Sequence, residues 1–173
     1  LYNRAIAGAY PTGSTFKIVT ASAGLATGVL DPFRQEPGGA CRTFGTAKQE
    51  FCNAGKAALP AANLAESLTI SSDVYYYDVG AKLYPRANQP LQTWARLFGY
   101  GRRTGIDLPG EQRGIIPDSE WRKKRNQEEL DCRRQEKRET CGLVFDVNGR
   151  YLLGDNVNFS IGQGDFLATP LQV

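Results

Sequence analysis

A helix pattern near the start of the chain constrains the fold more than any other feature. Apolar residues recur there at the steps of three and four that define one helix face: Phe16, Val19, Ala23 and Ala26. Gly28 is a natural stop, and residues 10–13, Tyr-Pro-Thr-Gly, have the composition of a turn. The pattern predicts a helix over residues 14–27, with Ser14 at or just before its N-terminus.

The rest of the chain alternates between helical patterns and loops. Helical patterns cover three further segments: residues 61–70, residues 73–84, and a stretch that begins at Pro90 and ends at Gly99–Gly101. The break between the first two falls at Ser71-Ser72, which places serines at another helix start. Residues 31–60 and 104–117 are predicted to be loops, and Thr169-Pro170 is predicted to start a short helix.

Bulk composition excludes several classes of protein. With 173 residues, of which 41% are hydrophobic and 10% aromatic, the chain can bury a core as one globular domain. The net charge of +3 is too small to indicate nucleic-acid binding, and no apolar run reaches the roughly 18 residues of a membrane helix. The chain begins at Leu1 with no leader pattern, so we expect a piece of a longer protein with any membrane anchor upstream.

The four cysteines form two pairs that are close in sequence, Cys41 with Cys52 and Cys132 with Cys141. Such spacing favours two local disulfides and an oxidising compartment. Free thiols or a zinc site are the alternatives, although the chain has no Cys-x-x-Cys and no histidine. The second pair lies in a hairpin-like run of mixed charge, with eight Lys or Arg and six Asp or Glu in residues 120–140. We interpret residues 120–149 as a solvated insertion.

Ser14-Thr15-Phe16-Lys17 is a Ser-x-x-Lys motif, whose spacing puts a hydroxyl and an amine one helical turn apart. Because the chain has no histidine, a Ser-His-Asp triad is excluded and Lys17 is the available base for Ser14. That role requires a lysine pKa well below the usual value of about 10.4. It also predicts that the Ser14 hydroxyl lies within hydrogen-bond reach of the Lys17 amine. The alternative is a helix-capping serine followed by a solvated lysine.

A second candidate is Ser71-Ser72-Asp73, where a hydroxyl and a carboxylate at a helix start can point into one cleft. The alternative here is simple helix capping. The run Tyr75-Tyr76-Tyr77 that follows is interpreted as core packing without a catalytic role.

In order and spacing, the sequence resembles a class B penicillin-binding protein of the elongation type, also called penicillin-binding protein 2, over nearly the whole chain. Four segments carry the resemblance: residues 9–17 (AYPTGSTFK), residues 68–77 (LTISSDVYYY), residues 104–111 (TGIDLPGE) and residues 154–164 (GDNVNFSIGQG). The resemblance implies an α+β transpeptidase domain across residues 1–173. It further implies that the chain covers mainly the helical part of a fold shared with serine β-lactamases, ending before the strand of the third motif.

The resemblance also implies an activity: a peptidoglycan D,D-transpeptidase that acylates a serine with D-Ala-D-Ala stem peptides, cross-links them and binds β-lactams covalently. Ser14 would be the nucleophile, Lys17 its general base, and Ser71 with Asp73 would fill the family's Ser-x-Asn motif. Ser71 would relay a proton to the departing amine. No metal or organic cofactor is implied. Expected partners are stem peptides, β-lactams and a membrane glycosyltransferase, without nucleic acid, at the extracytoplasmic face of the bacterial membrane. Relatives of this type also carry cysteines where Cys41 and Cys52 lie.

Two departures from the family pattern stand out. Asp73 occupies the position of the usual asparagine, and a carboxylate near Lys17 favours its ammonium form. Asp73 is therefore protonated or displaced, or Lys17 loses its proton only when substrate binds. The third motif, Lys-Thr-Gly or Lys-Ser-Gly, does not occur in these 173 residues. We therefore expect a carboxylate anchor and one oxyanion-hole amide to be missing, and the chain alone to be inactive, while the amide of Ser14 is the other donor.

Two alternatives keep the same fold. A serine β-lactamase or β-lactam sensor shares Ser-x-x-Lys, but a class A hydrolase needs a glutamate to activate water, for which Glu111 and Glu120 are the candidates. A non-catalytic scaffold or binding domain is the second alternative, and the missing third motif favours it. A nucleic-acid interface over residues 122–138 is disfavoured because acidic residues interleave with the basic ones.

Overall fold

The computed structural model describes residues 2–45, 49–142 and 149–173. In these residues the α-helices are α1 (Arg4–Ala7), α2 (Lys17–Ala26), α3 (Leu64–Thr69), α4 (Asp73–Leu83), α5 (Pro90–Leu97), α6 (Ser119–Glu136) and α7 (Leu153–Phe159). The strands are β1 (Cys41–Phe44) and β2 (Gln49–Cys52), and short 3-10 helices cover Gly13–Phe16 and Ala54–Lys56. This helix-rich chain with one small sheet is the helical part of an α+β domain, as predicted.

The predicted first helix is confirmed. It starts with the 3-10 turn Gly13–Phe16, continues directly into α2, and ends before Gly28, which has a φ of 68°. Phe16 is fully buried and packs against Phe159 and Phe166, with ring centroids 4.7 and 4.6 Å apart. The turn that carries Ser14 is therefore anchored in the aromatic core.

Helix α2 lies at the centre of the core and packs against α3, α4 and α5, while α4 also packs against α7. Helix α4 comes close to the C-terminal end of α7 at Gly80, where an added Cβ would lie 2.6 Å from Ser160 Cβ. The three tyrosines at positions 75, 76 and 77 are buried, which confirms the prediction that they are core residues. Helix α4 is thus packed against α2, α5 and α7.

The helix predicted over residues 61–70 begins only at Leu64. Asn63 caps α3 because its side chain accepts from Glu66 N, and Glu66 accepts in return from Asn63 N. Helices α4 and α5 follow the prediction closely, with Pro90 in the first turn of α5.

Part of the predicted loop over residues 31–60 forms the antiparallel β1–β2 hairpin. Cys41 pairs with Cys52 in the register of the hairpin and also forms a disulfide with it, with the Cα atoms 4.0 Å apart. Cys132 and Cys141 form the second disulfide, with a Cα separation of 6.3 Å. Both local pairings were predicted, and the first Cα separation lies below the usual range of about 4.4–6.8 Å.

The prediction of a hairpin-like stretch around Cys132 and Cys141 is wrong, because most of residues 120–140 form α6. Asp118 caps this helix by accepting a hydrogen bond from Trp121 N at 2.7 Å. Ion pairs one turn apart, such as Arg125 with Glu128 at 2.6 Å, support the charged surface. Arg122 is buried and pairs with Asp155 and Asp165, so the helix is docked on the segment around α7.

Two features near the end of the chain differ from what the sequence predicts. Helix α7 was not predicted, since its seven residues show little apolar periodicity. Thr169-Pro170 starts a turn instead of a helix, because Gln172 N donates to Thr169 O at 2.9 Å and closes it. Within the described residues, no helix is long and apolar enough to cross a membrane.

Candidate active site

Ser14 lies in the 3-10 turn before α2, and the loop after α7 packs against this turn. Gly13 N donates to Gly162 O at 3.1 Å. Gly162 has a φ of 71°, and an added Cβ would lie 2.4 Å from both Gly13 O and Thr12 Oγ1. Only glycine fits this position without displacing the turn. The backbone around Ser14 is therefore fixed by a contact about 150 residues away in sequence.

Lys17 is buried beneath Ser14 and has a complete set of partners. Its Nζ lies 2.6 Å from Asp73 Oδ1 and donates to Ser71 O at 2.7 Å and Ser71 Oγ at 3.0 Å. These three contacts use the three N–H bonds of the ammonium group. Both residues of the Ser-x-Asp segment thus contact the lysine.

Opposing effects act on the pKa of Lys17. Burial is the larger effect and lowers the pKa below the ordinary lysine value, while the hydrogen bond and charge of Asp73 raise it. The Lys17 Nζ also lies 5.6 Å from the ring centroid of Tyr76, a further contact that favours the ammonium form. The net shift is downward, in the direction that a lysine base requires. The sequence left open whether Asp73 is displaced from the lysine base. The structure excludes displacement, because Asp73 contacts Lys17.

Ser71 connects the lysine to the nucleophile. Its Oγ donates to Ser14 Oγ at 3.0 Å while accepting from Lys17 Nζ. Its φ of 54° is left-handed, a conformation that costs a residue with a Cβ roughly 1–2 kcal/mol. Ser72 N donates to Ser67 O at 3.0 Å, and Ser72 Oγ then accepts from Tyr75 N to cap α4. The turn is therefore held at both ends.

The structure corrects one predicted contact. We expected the Ser14 hydroxyl within hydrogen-bond reach of the Lys17 amine, with Ser71 facing the same cleft. The described residues bring the three groups together, yet they show no direct Ser14–Lys17 hydrogen bond. Lys17 is instead connected to Ser14 through Ser71, because its own three donors are already used.

A cleft of about 230 Å³ opens beside Ser14. Its lining combines the polar residues Ser14, Ser71, Asp73 and Asn53 with the apolar residues Ala54, Ala57, Leu59 and Ile70. The segment 53–59 follows the hairpin, and sequence reasoning did not identify it as part of the site. The available signal was its position directly after the predicted disulfide at Cys52.

The two glutamates considered for water activation are not among the residues that line this cleft. Glu111 is buried and accepts from both the backbone N and the Oγ1 of Thr104 at 2.6 Å, and these hydrogen bonds lower its pKa. Glu120 lies in the first turn of α6. Glu111 thus closes the loop 104–111 instead of facing Ser14.

The whole chain, residues 1–173, matches the protein family described as the penicillin binding protein transpeptidase domain. The chain belongs to this family. A curated relative, the peptidoglycan D,D-transpeptidase MrdA of Acinetobacter baumannii, is 30% identical over 100% of this chain and 22% of its own length. The resemblance to class B penicillin-binding proteins of the penicillin-binding protein 2 type is thereby confirmed.

Solved structures support the same assignment. Penicillin-binding protein 2 from Helicobacter pylori superposes with a TM-score of 0.78 at 30% identity, over 99% of this chain and 28% of that protein. The same protein in complex with MreC gives 0.76 at 28% identity, over 99% and 27%. Penicillin-binding protein A from M. tuberculosis, as its penicillin G acyl-enzyme complex, gives 0.66 at 25% identity, over 99% and 32%. The chain spans about a quarter to a third of these proteins.

Proposed function

We propose that this chain carries the acylation site of a peptidoglycan D,D-transpeptidase, with Ser14 as nucleophile. The observation that supports this proposal best is the chain of contacts Ser14–Ser71–Lys17–Asp73, which connects a hydroxyl to a buried amine of lowered pKa. A buried amine that can lose its proton is what a serine nucleophile needs in the absence of histidine.

In the acylation step Lys17 is neutral, so the Ser71 hydroxyl rotates away from the orientation of the resting site, in which it donates to Ser14. Ser71 Oγ then donates to Lys17 Nζ and accepts from Ser14 Oγ, and the Ser14 proton reaches Lys17 through Ser71. Ser14 Oγ then attacks the carbonyl carbon of the penultimate D-alanine of a stem peptide. As the tetrahedral intermediate collapses, the C–N bond to the terminal D-alanine breaks, and Ser71 passes a proton from the Lys17 ammonium to the departing amine. An amine of a neighbouring stem then attacks the acyl carbon and gives up a proton to neutral Lys17 through Ser71. The ester bond to Ser14 Oγ breaks, and Ser14 takes that proton back from the Lys17 ammonium. The proton travels the same short path in both directions.

Asp73 has a supporting role in this mechanism. Its carboxylate stabilises the Lys17 ammonium that forms as Ser14 loses its proton, and its position as the first residue of α4 fixes that contact. The same attraction makes Lys17 less ready to start the reaction. We propose that substrate binding shifts this balance toward the neutral amine.

Partners follow from the family. β-Lactams would acylate Ser14 as penicillin G acylates the M. tuberculosis relative, and peptidoglycan stem peptides would be donor and acceptor. We propose an extracytoplasmic location and a membrane glycosyltransferase partner, consistent with the oxidising compartment that two disulfides favour. The carboxylate anchor and second oxyanion amide would come from a third motif outside these 173 residues.

Covalent labelling tests the proposal in the full-length protein that contains this chain. Fluorescent penicillin should label the parent protein, and peptide mapping should place the label on Ser14. Ser14→Ala should abolish labelling, while Ser22→Ala, a serine on the same helix that donates to Ile18 O, should not. Cross-linking of stem peptides should be lost together with labelling. Label that persists in Ser14→Ala would place the nucleophile elsewhere.

A further inference from the structure

Asn53 is a buried polar residue whose position no catalytic role explains. It directly follows Cys52, and only 4% of its surface is exposed. Its Nδ2 donates to Gly39 O at 2.9 Å and Ala57 O at 2.8 Å, and its Oδ1 accepts from Val74 N at 3.1 Å. Both amide donors are therefore used, and its oxygen reaches a different element of the fold.

The hairpin side of this connection is rigid. The Cys41–Cys52 disulfide joins β1 and β2 immediately before Asn53, and Asn53 N donates to Ala40 O at 2.9 Å. Tyr77 OH, from α4, donates to Cys52 O at 3.3 Å. Asn53 has little freedom to move relative to the hairpin, because its backbone N and its side chain bond to Gly39, Ala40 and Ala57, which flank the two strands.

The other side of the connection is the first turn of α4. N–H groups in the first turn of a helix have no intrahelical partner, and Asn53 supplies one for Val74. Ser72 satisfies the next donor, Tyr75 N. Val74 directly follows Asp73, which contacts Lys17, and lies three residues after Ser71. Any displacement of this turn therefore moves two of the four proposed site residues.

We propose that Asn53 is a positioning residue, which transfers the fixed geometry of the disulfide-closed hairpin to the first turn of α4 and so holds Ser71 and Asp73 against Lys17. This inference rests on the proposed function of the site. Asn53 acts through Val74 N, although its side chain also lines the cleft beside Ser14.

The distances explain why such positioning matters. Proton transfer through Ser71 depends on two consecutive hydrogen bonds of 3.0 Å. Ser71 also has a left-handed backbone, so the turn needs external contacts to keep this conformation. A displacement of about 1 Å can reduce a rate about 100-fold when reacting groups lose alignment.

The test measures acylation by penicillin in the full-length protein, with the binding constant and the first-order acylation constant determined separately. Asn53→Ala removes all three side-chain hydrogen bonds, and Asn53→Asp keeps the shape while removing both donors. Gln92→Ala is the matched control, since Gln92 is also a buried amide but donates to Pro117 O and Asn156 Oδ1, and neither Gln92 nor these partners line the cleft beside Ser14. Asp73→Asn is combined with each alanine variant.

We expect Asn53→Ala to lower the acylation constant between about tenfold and 100-fold, with penicillin binding changed less than about twofold. Gln92→Ala should lower the melting temperature without slowing acylation of the folded protein. The effect of Asp73→Asn should shrink in the Asn53→Ala background and stay unchanged with Gln92→Ala, because residues that act through each other are not additive. If Asn53→Ala does not fold, Asn53→Asp should show the slower acylation.

Three results would overturn the inference: parent-like acylation in the folded Asn53 variants, an equal loss in Gln92→Ala, or full additivity with Asp73→Asn. Each leaves the proposed function standing, provided that the parent protein is labelled at Ser14. Labelling that survives Ser14→Ala would instead reject the proposed function, whatever the Asn53 variants show.

Discussion

Replacing Asp73 with asparagine tests the electrostatics of the site directly. The substitution keeps the size of the side chain and its capacity to accept a hydrogen bond from Lys17, and it removes the negative charge 2.6 Å from the Lys17 Nζ. Since Asp73 raises the pKa of Lys17 while burial lowers it, the variant should have a lower Lys17 pKa than the parent.

The size of the effect follows from the geometry. An opposite charge in direct contact typically stabilises the charged form of a titratable group by roughly 1.4–4 kcal/mol. Because a base must be neutral to accept a proton, loss of this stabilisation should move the acidic limb of the pH–rate profile for acylation to lower pH. A weaker base is also a poorer proton acceptor, so the acylation constant at its plateau should fall.

The assay is the rate of acylation by fluorescent penicillin between about pH 5 and pH 10, a range set by the lowered lysine pKa. Asp118→Asn serves as the control, because Asp118 caps α6 and asparagine caps a helix equally well. The profile of the control should match that of the parent, and the profile of Asp73→Asn should lie at lower pH.

If the acidic limb of the Asp73→Asn profile stays at the same pH as that of the parent, the limb does not report the deprotonation of Lys17. A limb that moves to higher pH would show that Asp73 does not stabilise the ammonium form, and the proposed role of the ion pair would be wrong. Equal shifts in Asp118→Asn would attribute the effect to net charge instead of to the contact.

Two further predictions concern the support of the nucleophile and the extent of the site. Gly162→Ala should lower the free energy of unfolding by roughly 2–4 kcal/mol in denaturant titrations and should slow acylation, because the added Cβ meets Gly13 O and Thr12 Oγ1. Gly28→Ala, with a similar φ of 68° and no atom within 4 Å of the new Cβ, should cost only about 1–2 kcal/mol, and equal costs would contradict the steric argument. Residues 1–173 alone should react with penicillin at least about 100-fold more slowly than the full-length protein, since an oxyanion donor is missing, and equal labelling rates would disprove this.

Local sequence patterns predicted the helices that are marked within a short segment by apolar periodicity, a capping residue or a proline. The apolar stripe of α2, the break at Ser71-Ser72 and the proline at the start of α5 all identify helices that the structure contains. Helix α6 could not be predicted in this way, because capping by Asp118 and ion pairs stabilise it in place of an apolar stripe. Helix α7 is short and depends on its contact with α4, which a single segment of sequence does not reveal.

In the candidate site, the sequence likewise predicted which residues take part but not how they contact one another. Sequence motifs identified Ser14, Lys17, Ser71 and Asp73, and the structure brings all four together. The motif spacing suggested that Ser14 and Lys17 bond directly, because positions three residues apart share a helix face. The spacing does not reveal that Ser71, in the turn before α4, and Asp73, the first residue of α4, already use the lysine donors.

The left-handed backbone of Ser71 explains why its double contact with Lys17 was not predicted, although Ser71 itself was identified as a site residue. With a φ of 54°, Ser71 directs both its carbonyl and its hydroxyl oxygen to the same ammonium group. The conformation is unfavourable by itself and persists only because surrounding contacts outweigh its cost. Those contacts come from Lys17, from the end of α3 through Ser67 O, and from Asn53 through the start of α4. The contact with Lys17 joins residues 54 apart in sequence and the contact of Asn53 with Val74 joins residues 21 apart. For this reason the relay depends on the tertiary fold more than on either serine motif alone.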